Sequence, residues 1–202
     1  MYFGAQISLY PMTDDFIGVI TRSLSALDPY RSRLRIETDD LSTLLVGPPE
    51  AVFPAMRDLF AAAARTGVHC TLSATISRGC PGEPHDNRCA SPKLEGPVSP
   101  LATRQAAALQ SVHQTITLDC QIAAQFSLYV MGTDDHMDEI YGCIDFLEQS
   151  GVLDRPKTFC TRLAGDAGPV FAALEAAICS FGPPQGHVTI DLTASANSPT
   201  SR

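Results

Sequence analysis

The sequence repeats itself. Displaced by 118 positions, Thr43-Leu44-Leu45-Val46-Gly47 falls on Thr161-Arg162-Leu163-Ala164-Gly165, and Val52-Phe53 falls on Val170-Phe171. At the same displacement His69-Cys70-Thr71 meets His187-Val188-Thr189, and Thr75, Ser77 and Pro81 meet Thr193, Ser195 and Pro199. Upstream the displacement becomes 119, where Gln6-Ile7-Ser8-Leu9-Tyr10-Pro11-Met12 meets Gln125-Phe126-Ser127-Leu128-Tyr129-Val130-Met131. A short insertion at Gly132 and Thr133 then brings Asp14-Asp15 onto Asp134-Asp135. The motifs keep their order, so the chain is one small unit built twice, over residues 1–82 and 116–202. The linker, 83–115, holds Pro84, Pro92, Pro97, Pro100, Gly96 and several serines, a composition that disfavours regular structure. Its later part, Leu101 to Val112, is rich in Ala and Gln and reads as a short helix.

Each unit reads as strand, helix, strand, strand, helix, strand. From Ala5 to Met12 polar and apolar residues alternate, with Gln6, Ser8 and Tyr10 on one side and Ile7 and Leu9 on the other. Thr13-Asp14-Asp15 is suited to start a helix, and Phe16, Val19, Ile20, Leu24 and Leu27 follow with helical spacing. Leu34 to Glu37 and Ser42 to Val46 read as two strands turning at Asp39-Asp40. Pro48 and Pro49 suit the start of a second helix, whose apolar stripe is Val52, Phe53, Met56, Leu59, Phe60 and Ala63. Val68 to Ser77 alternates again, with His69, Thr71, Ser73, Thr75 and Ser77 on the polar side. This is the order of an α+β, ferredoxin-like βαββαβ unit, here in tandem, with an antiparallel sheet and both helices on one face.

Composition narrows the function classes. Apolar residues are 45%, enough for a core. With 22 Asp and Glu against 14 Lys and Arg the formal net charge is −8, which argues against nucleic acid as a partner and is compatible with a cationic ligand. Trp is absent, so no tryptophan cage can hold a cation. No apolar run approaches the roughly 20 residues that cross a bilayer, so no membrane insertion is expected. The first residues lack a basic stretch followed by an apolar one, and the seven cysteines are scattered without a Cys-x-x-Cys. Both features point to reduced thiols and a cytoplasmic protein.

Several residues invite a chemical reading. On the last strand of each unit His, Thr, Thr and Ser recur on the polar side while the apolar side varies, which suggests that the open face of the sheet does something twice. The plain alternative is that these groups pack against one another or meet water. Asp14-Asp15 and Asp134-Asp135 resemble paired carboxylates, but their place before a helix favours capping. Cys70, Cys143 and Cys179 lie in apolar stretches and read as small buried hydrophobes. Cys80-x4-His85-x3-Cys89 has ligand-like spacing but lacks a fourth ligand nearby, so it reads as a polar loop and no metal is expected. Cys160 stands where the first unit has Ser42. No P-loop, dinucleotide fingerprint or Gly-x-Ser-x-Gly is present, and no catalytic residue is assigned.

Four stretches carry a family resemblance. Ser8-Leu9-Tyr10-Pro11-Met12-Thr13-Asp14-Asp15-Phe16, Leu41-Ser42-Thr43-Leu44-Leu45, Gly79-Cys80-Pro81-Gly82 and Ser195-Ala196-Asn197-Ser198-Pro199 resemble the YkoF-type thiamin/hydroxymethylpyrimidine-binding proteins. The resemblance spans nearly the whole chain. It implies tandem ferredoxin-like repeats, a non-catalytic binder with one site per repeat, and a homodimer. The implied ligand is thiamin or its hydroxymethylpyrimidine precursor, with no other cofactor. The implied contacts are Leu9 and Thr43 in the first repeat and Leu128 and Thr161 in the second. Backbone groups at Leu9 and the Thr43 hydroxyl would read the aminopyrimidine edge, and Tyr10 or Phe16 would offer an aromatic surface. Asp39 and Asp40 would favour the positive thiazolium. Two other readings stay open: a regulatory, ACT-like module sensing another metabolite, and a thiol enzyme built on Cys160.

Overall fold

A computed structural model of the chain describes residues 3–79, 99–131, 136–182 and 186–200. Alternation fixes the first strand, β1 (Phe3–Pro11), which buries Phe3, Ala5 and Ile7 and leaves Gln6 and Tyr10 outside. Helix α1 (Phe16–Leu24) follows and tightens into a 3-10 turn (Ser25–Tyr30) that buries Leu27. Next come β2 (Arg35–Thr38), β3 (Thr43–Val46), α2 (Pro49–Ala64) and β4 (Cys70–Arg78). Helix α2 begins at Pro49, where a missing N–H costs nothing. The linker contributes α3 (Leu101–His113). The second unit repeats the order as β5 (Gln121–Met131), α4 (His136–Ser150), β6 (Leu153–Pro156), β7 (Thr161–Asp166), α5 (Ala167–Ser180) and β8 (His187–Ala196). Both units are thus βαββαβ, as the sequence pattern indicates.

The two four-stranded sheets join edge to edge. A single antiparallel sheet results, in the order β2-β3-β1-β4-β8-β5-β7-β6. The join pairs β4 with β8 from Cys70↔Ala196 to Arg78↔Val188. Its apolar face is fully buried, with Leu72, Ile76, Ile190 and Leu192 each 0% exposed beneath the helices. Its polar face explains part of the repetition. His69 Nε2 lies 3.2 Å from Ser195 Oγ, and His187 Nε2 lies 2.9 Å from Ser77 Oγ. Each repeated histidine therefore meets the repeated serine of the other unit. These four residues staple the seam, which is the packing alternative rather than a duplicated ligand surface. Asn197, in a left-handed turn, reinforces the join by donating to the carbonyls of Ala64 (2.7 Å) and Val68 (3.0 Å) in the first unit.

The helical layer is continuous too. Phe60 of α2 and Phe171 of α5 meet with ring centroids 6.4 Å apart. Helix α3 packs on α4 and α5, where Arg104 makes a two-pronged ion pair with Glu139 at 2.8 Å per prong. Gly142 permits that approach, because a Cβ there would stand 2.8 Å from Leu101 Cδ1. Asp15 departs from expectation. It occupies the cap position of α1 without a capping hydrogen bond, and its carboxylate instead accepts from Arg22 Nη2 at 3.0 Å. Asp134-Asp135 and the Cys80, His85, Cys89 group lie outside the described residues.

Candidate functional site

The site begins with a mismatch in strand length. Strand β3 stops pairing with β1 at Ile7↔Thr43, whereas β1 continues beside β4 as far as Pro11↔Cys70. The Phe3 carbonyl accepts from Gly47 N–H (3.1 Å), and Met12 N–H donates to His69 (2.8 Å). Odd residues of β1 therefore turn their backbone groups towards β3 and even ones towards β4. Leu9, the first odd residue past the end of β3, presents its N–H and C=O to an edge with no strand beside it. The second unit repeats the arrangement. Ala167 N–H donates to the Cys120 carbonyl (2.8 Å), which turns even residues of β5 towards β7, and pairing ends at Phe126↔Thr161. Leu128 is the next even residue.

A cavity opens at each edge. The first, about 320 Å³, lies between β1, α1, α2 and the 39–42 loop, and Leu9, Thr43, Phe16, Ile20 and Leu59 line it. The second, about 330 Å³, is lined by Leu128, Thr161, Ile140, Leu147 and the 157–160 loop. All four residues singled out from the sequence therefore line cavities, two in each, at matching places. Both volumes sit at the small end of ligand pockets. Thr43 pairs with inward-facing Ile7 and is buried on the helix-covered side of the sheet. Its Oγ1 lies 3.0 Å from Thr38 Oγ1. In the second unit Pro156 pairs with Thr161, so no such hydroxyl stands opposite.

The loops that rim the cavities are held from behind. Ser8 Oγ donates to the Leu41 carbonyl at 2.9 Å, and Ser127 Oγ donates to the Phe159 carbonyl at 2.9 Å. Gln6 Nε2 donates to Ser42 Oγ at 2.5 Å, whereas Gln125 Oε1 accepts from Lys157 Nζ at 2.6 Å. Sequence reasoning missed this anchoring role. Its signal was the recurrence of Gln-x-Ser-Leu-Tyr in both units. In that motif the Gln and Ser pin the loop, the Leu exposes a backbone edge and the Tyr stands at the cavity mouth.

Electrostatics differ between the two. Asp39 and Asp40 line the first cavity. Backbone N–H groups of Leu41 and Ser42 hold the Asp39 carboxyl below the usual range, so it is ionised at neutral pH. Lys157 and Cys160 line the second. Tyr10 and Phe16 are both on the first cavity and about half exposed. Among the described residues no imidazole is hydrogen-bonded to Cys160. Burial pushes the Cys70 thiol up to about 11 and those of Cys143 and Cys179 up to about 12, which keeps them protonated. Cys70 and Cys143 are buried as expected, and Cys179 is partly so. Among the described residues no three His, Cys, Asp or Glu side chains cluster as metal ligands, and no helix is long and apolar enough to cross a membrane.

With this geometry in place, comparison with known proteins adds two findings. The model of the YKOF-related family matches residues 2–83 and 121–201. A Bacillus subtilis (strain 168) protein named "Putative HMP/thiamine-binding protein YkoF" is 33% identical over 199 residues, covering 98% of this chain and 92% of that protein.

Proposed function

The chain belongs to the YKOF-related family, and from that premise we propose that it is a non-catalytic carrier of thiamin or its hydroxymethylpyrimidine precursor, with one site in each repeat. The observation that carries this reading is the pair of matched cavities, each with an open backbone edge (Leu9, Leu128) beside a threonine (Thr43, Thr161). An aminopyrimidine offers donors and acceptors in a fixed row along one edge. A strand edge with a free N–H, a free C=O and a hydroxyl supplies the complementary row. A site so built rejects rings lacking the amino group, because its own polar groups would be left unpaired. Tyr10 and Phe16 give the first ring an aromatic flank.

Carriage in the cytoplasm, in support of vitamin uptake or salvage, accords with the free cysteines among the described residues. The open sheet face carries short side chains such as Thr71, Ser73 and Thr193, and it offers a second copy a surface for a homodimer. Titration calorimetry with thiamin and with hydroxymethylpyrimidine tests the binding. Two equivalents of the neutral pyrimidine per chain and a raised melting temperature are expected. No heat and no thermal shift at millimolar ligand would sink the reading. Sedimentation of the protein separates dimer from monomer.

A further inference from the structure

The hairpins that rim the two cavities occupy equivalent places, yet their charges oppose. Across residues 35–46, Arg35 stands against Glu37, Asp39 and Asp40, a net of −2. Across the equivalent 153–164, Arg155, Lys157 and Arg162 stand against Asp154 alone, a net of +2. The structure shows how these charges are used. In the first hairpin Arg35 is taken up by Glu37, with 2.5 Å between Nη2 and Oε1, and Asp39 and Asp40 remain on the cavity. In the second, Asp154 accepts from both Arg155 and Arg162, so one carboxylate serves two guanidiniums. Lys157 lines the cavity, and its ammonium rests on the neutral Gln125 amide. In a protein of net charge −8 this is a local reversal. It accompanies other changes at the same loop: Ser42, which Gln6 holds, becomes Cys160, and Gln125 turns from donor to acceptor to receive the lysine.

We propose that the cavities sort their ligands by charge: the first takes the cationic thiazolium-bearing vitamin, and the second takes an anionic pyrimidine, the phosphate monoester of the pyrimidine alcohol. The proposal rests on the binding reading above and assigns a ligand class to each half of it. The pyrimidine edge would be read alike at Leu9 and Leu128, so the discrimination lies at the rim. There Lys157 leaves an uncharged partner to meet a phosphoryl oxygen and gives up no ion pair. Each unit charge on a solvated rim changes affinity about fivefold at close range, and salt weakens the effect.

The test is calorimetry of the full chain with three probes: thiamin, neutral hydroxymethylpyrimidine and its phosphate monoester. For the parent protein the monoester is expected to bind one equivalent, several-fold more tightly in low salt than in 0.5 M salt. In Lys157→Asp the ratio of monoester to neutral-pyrimidine affinity should fall at least tenfold. In Asp40→Lys the affinity for thiamin should fall several-fold and the monoester should gain a second equivalent. A monoester affinity indifferent to salt and to Lys157→Asp, with the neutral pyrimidine still bound, overturns the charge sorting alone. Failure of the neutral pyrimidine to bind either cavity overturns the binding reading and the sorting with it.

Discussion

Thr43 shows how one side chain can serve fold and site at different cost. It is almost fully buried, yet its hydroxyl meets only another hydroxyl, that of Thr38 on the exposed end of β2. Thr43→Val keeps the shape, removes the donor and acceptor, and leaves behind a Thr38 hydroxyl that water can reach. Stability should therefore change by less than about 1 kcal/mol, whereas ligand affinity at the first cavity should fall by about 1–3 kcal/mol, the cost of an unpaired polar group in a closed site. Calorimetry beside a denaturant titration checks both halves, and an unchanged affinity would remove the hydroxyl from the site. The cysteines carry a complementary lesson at this scale. Cys70 was legible as a buried hydrophobe because it alternates with Val68 and Leu72 on the apolar side of a strand, and Cys143 because Ile140 and Leu147 flank it at helical spacing. Asp15 was not legible, since whether a carboxylate caps its own helix or reaches Arg22 depends on side-chain reach that no pattern encodes.

Among the elements, the strands and helices were legible almost throughout, because period-two and helical spacings record burial directly. The side of the sheet on which Thr43 stands was not. That depends on register, and it is set by the pairing of Ile7 with Thr43, residues 36 positions apart. Nor was the use of the repeated His and Ser at the seam, because the edge-to-edge join of β4 and β8 is a contact between units. The anchored loops belong to the same class of contact. Ser8→Ala removes the tie from β1 to the 39–42 loop at a residue on the cavity's margin, and leaves Leu9 and Thr43 in place. The expected result is an increase of about five- to tenfold in the dissociation constant of the first cavity, through freer loop motion. The same change should bring faster hydrogen exchange at Leu41 and Ser42. Ser8→Thr, which keeps the hydroxyl, should restore both, whereas protection of the loop that is unaltered in Ser8→Ala would show that the tie does not hold it.

In the molecule as a whole the two units share one sheet and one helical layer, so a charge placed between them reports on their union. Glu175 of α5 is such a charge. Burial against the first unit raises its pKa from 4.5 to about 7, the Glu50 carboxylate of α2 adds to the rise, and Arg57 partly offsets it. Between pH 4.5 and about 7 the folded chain keeps a proton that the unfolded chain has released. Stability from this group is therefore present at low pH and lost as pH rises through that window. The loss should be about 1–2 kcal/mol, below the full linkage value because the carboxylate stays partly solvated. Glu175→Gln cannot ionise, so it should match the parent near pH 4.5 and exceed it by that amount at pH 8. Denaturant titrations of both proteins at the two pH values measure the difference. Parallel curves for parent and variant would mean that the carboxylate is as well solvated in the joined units as in the unfolded chain.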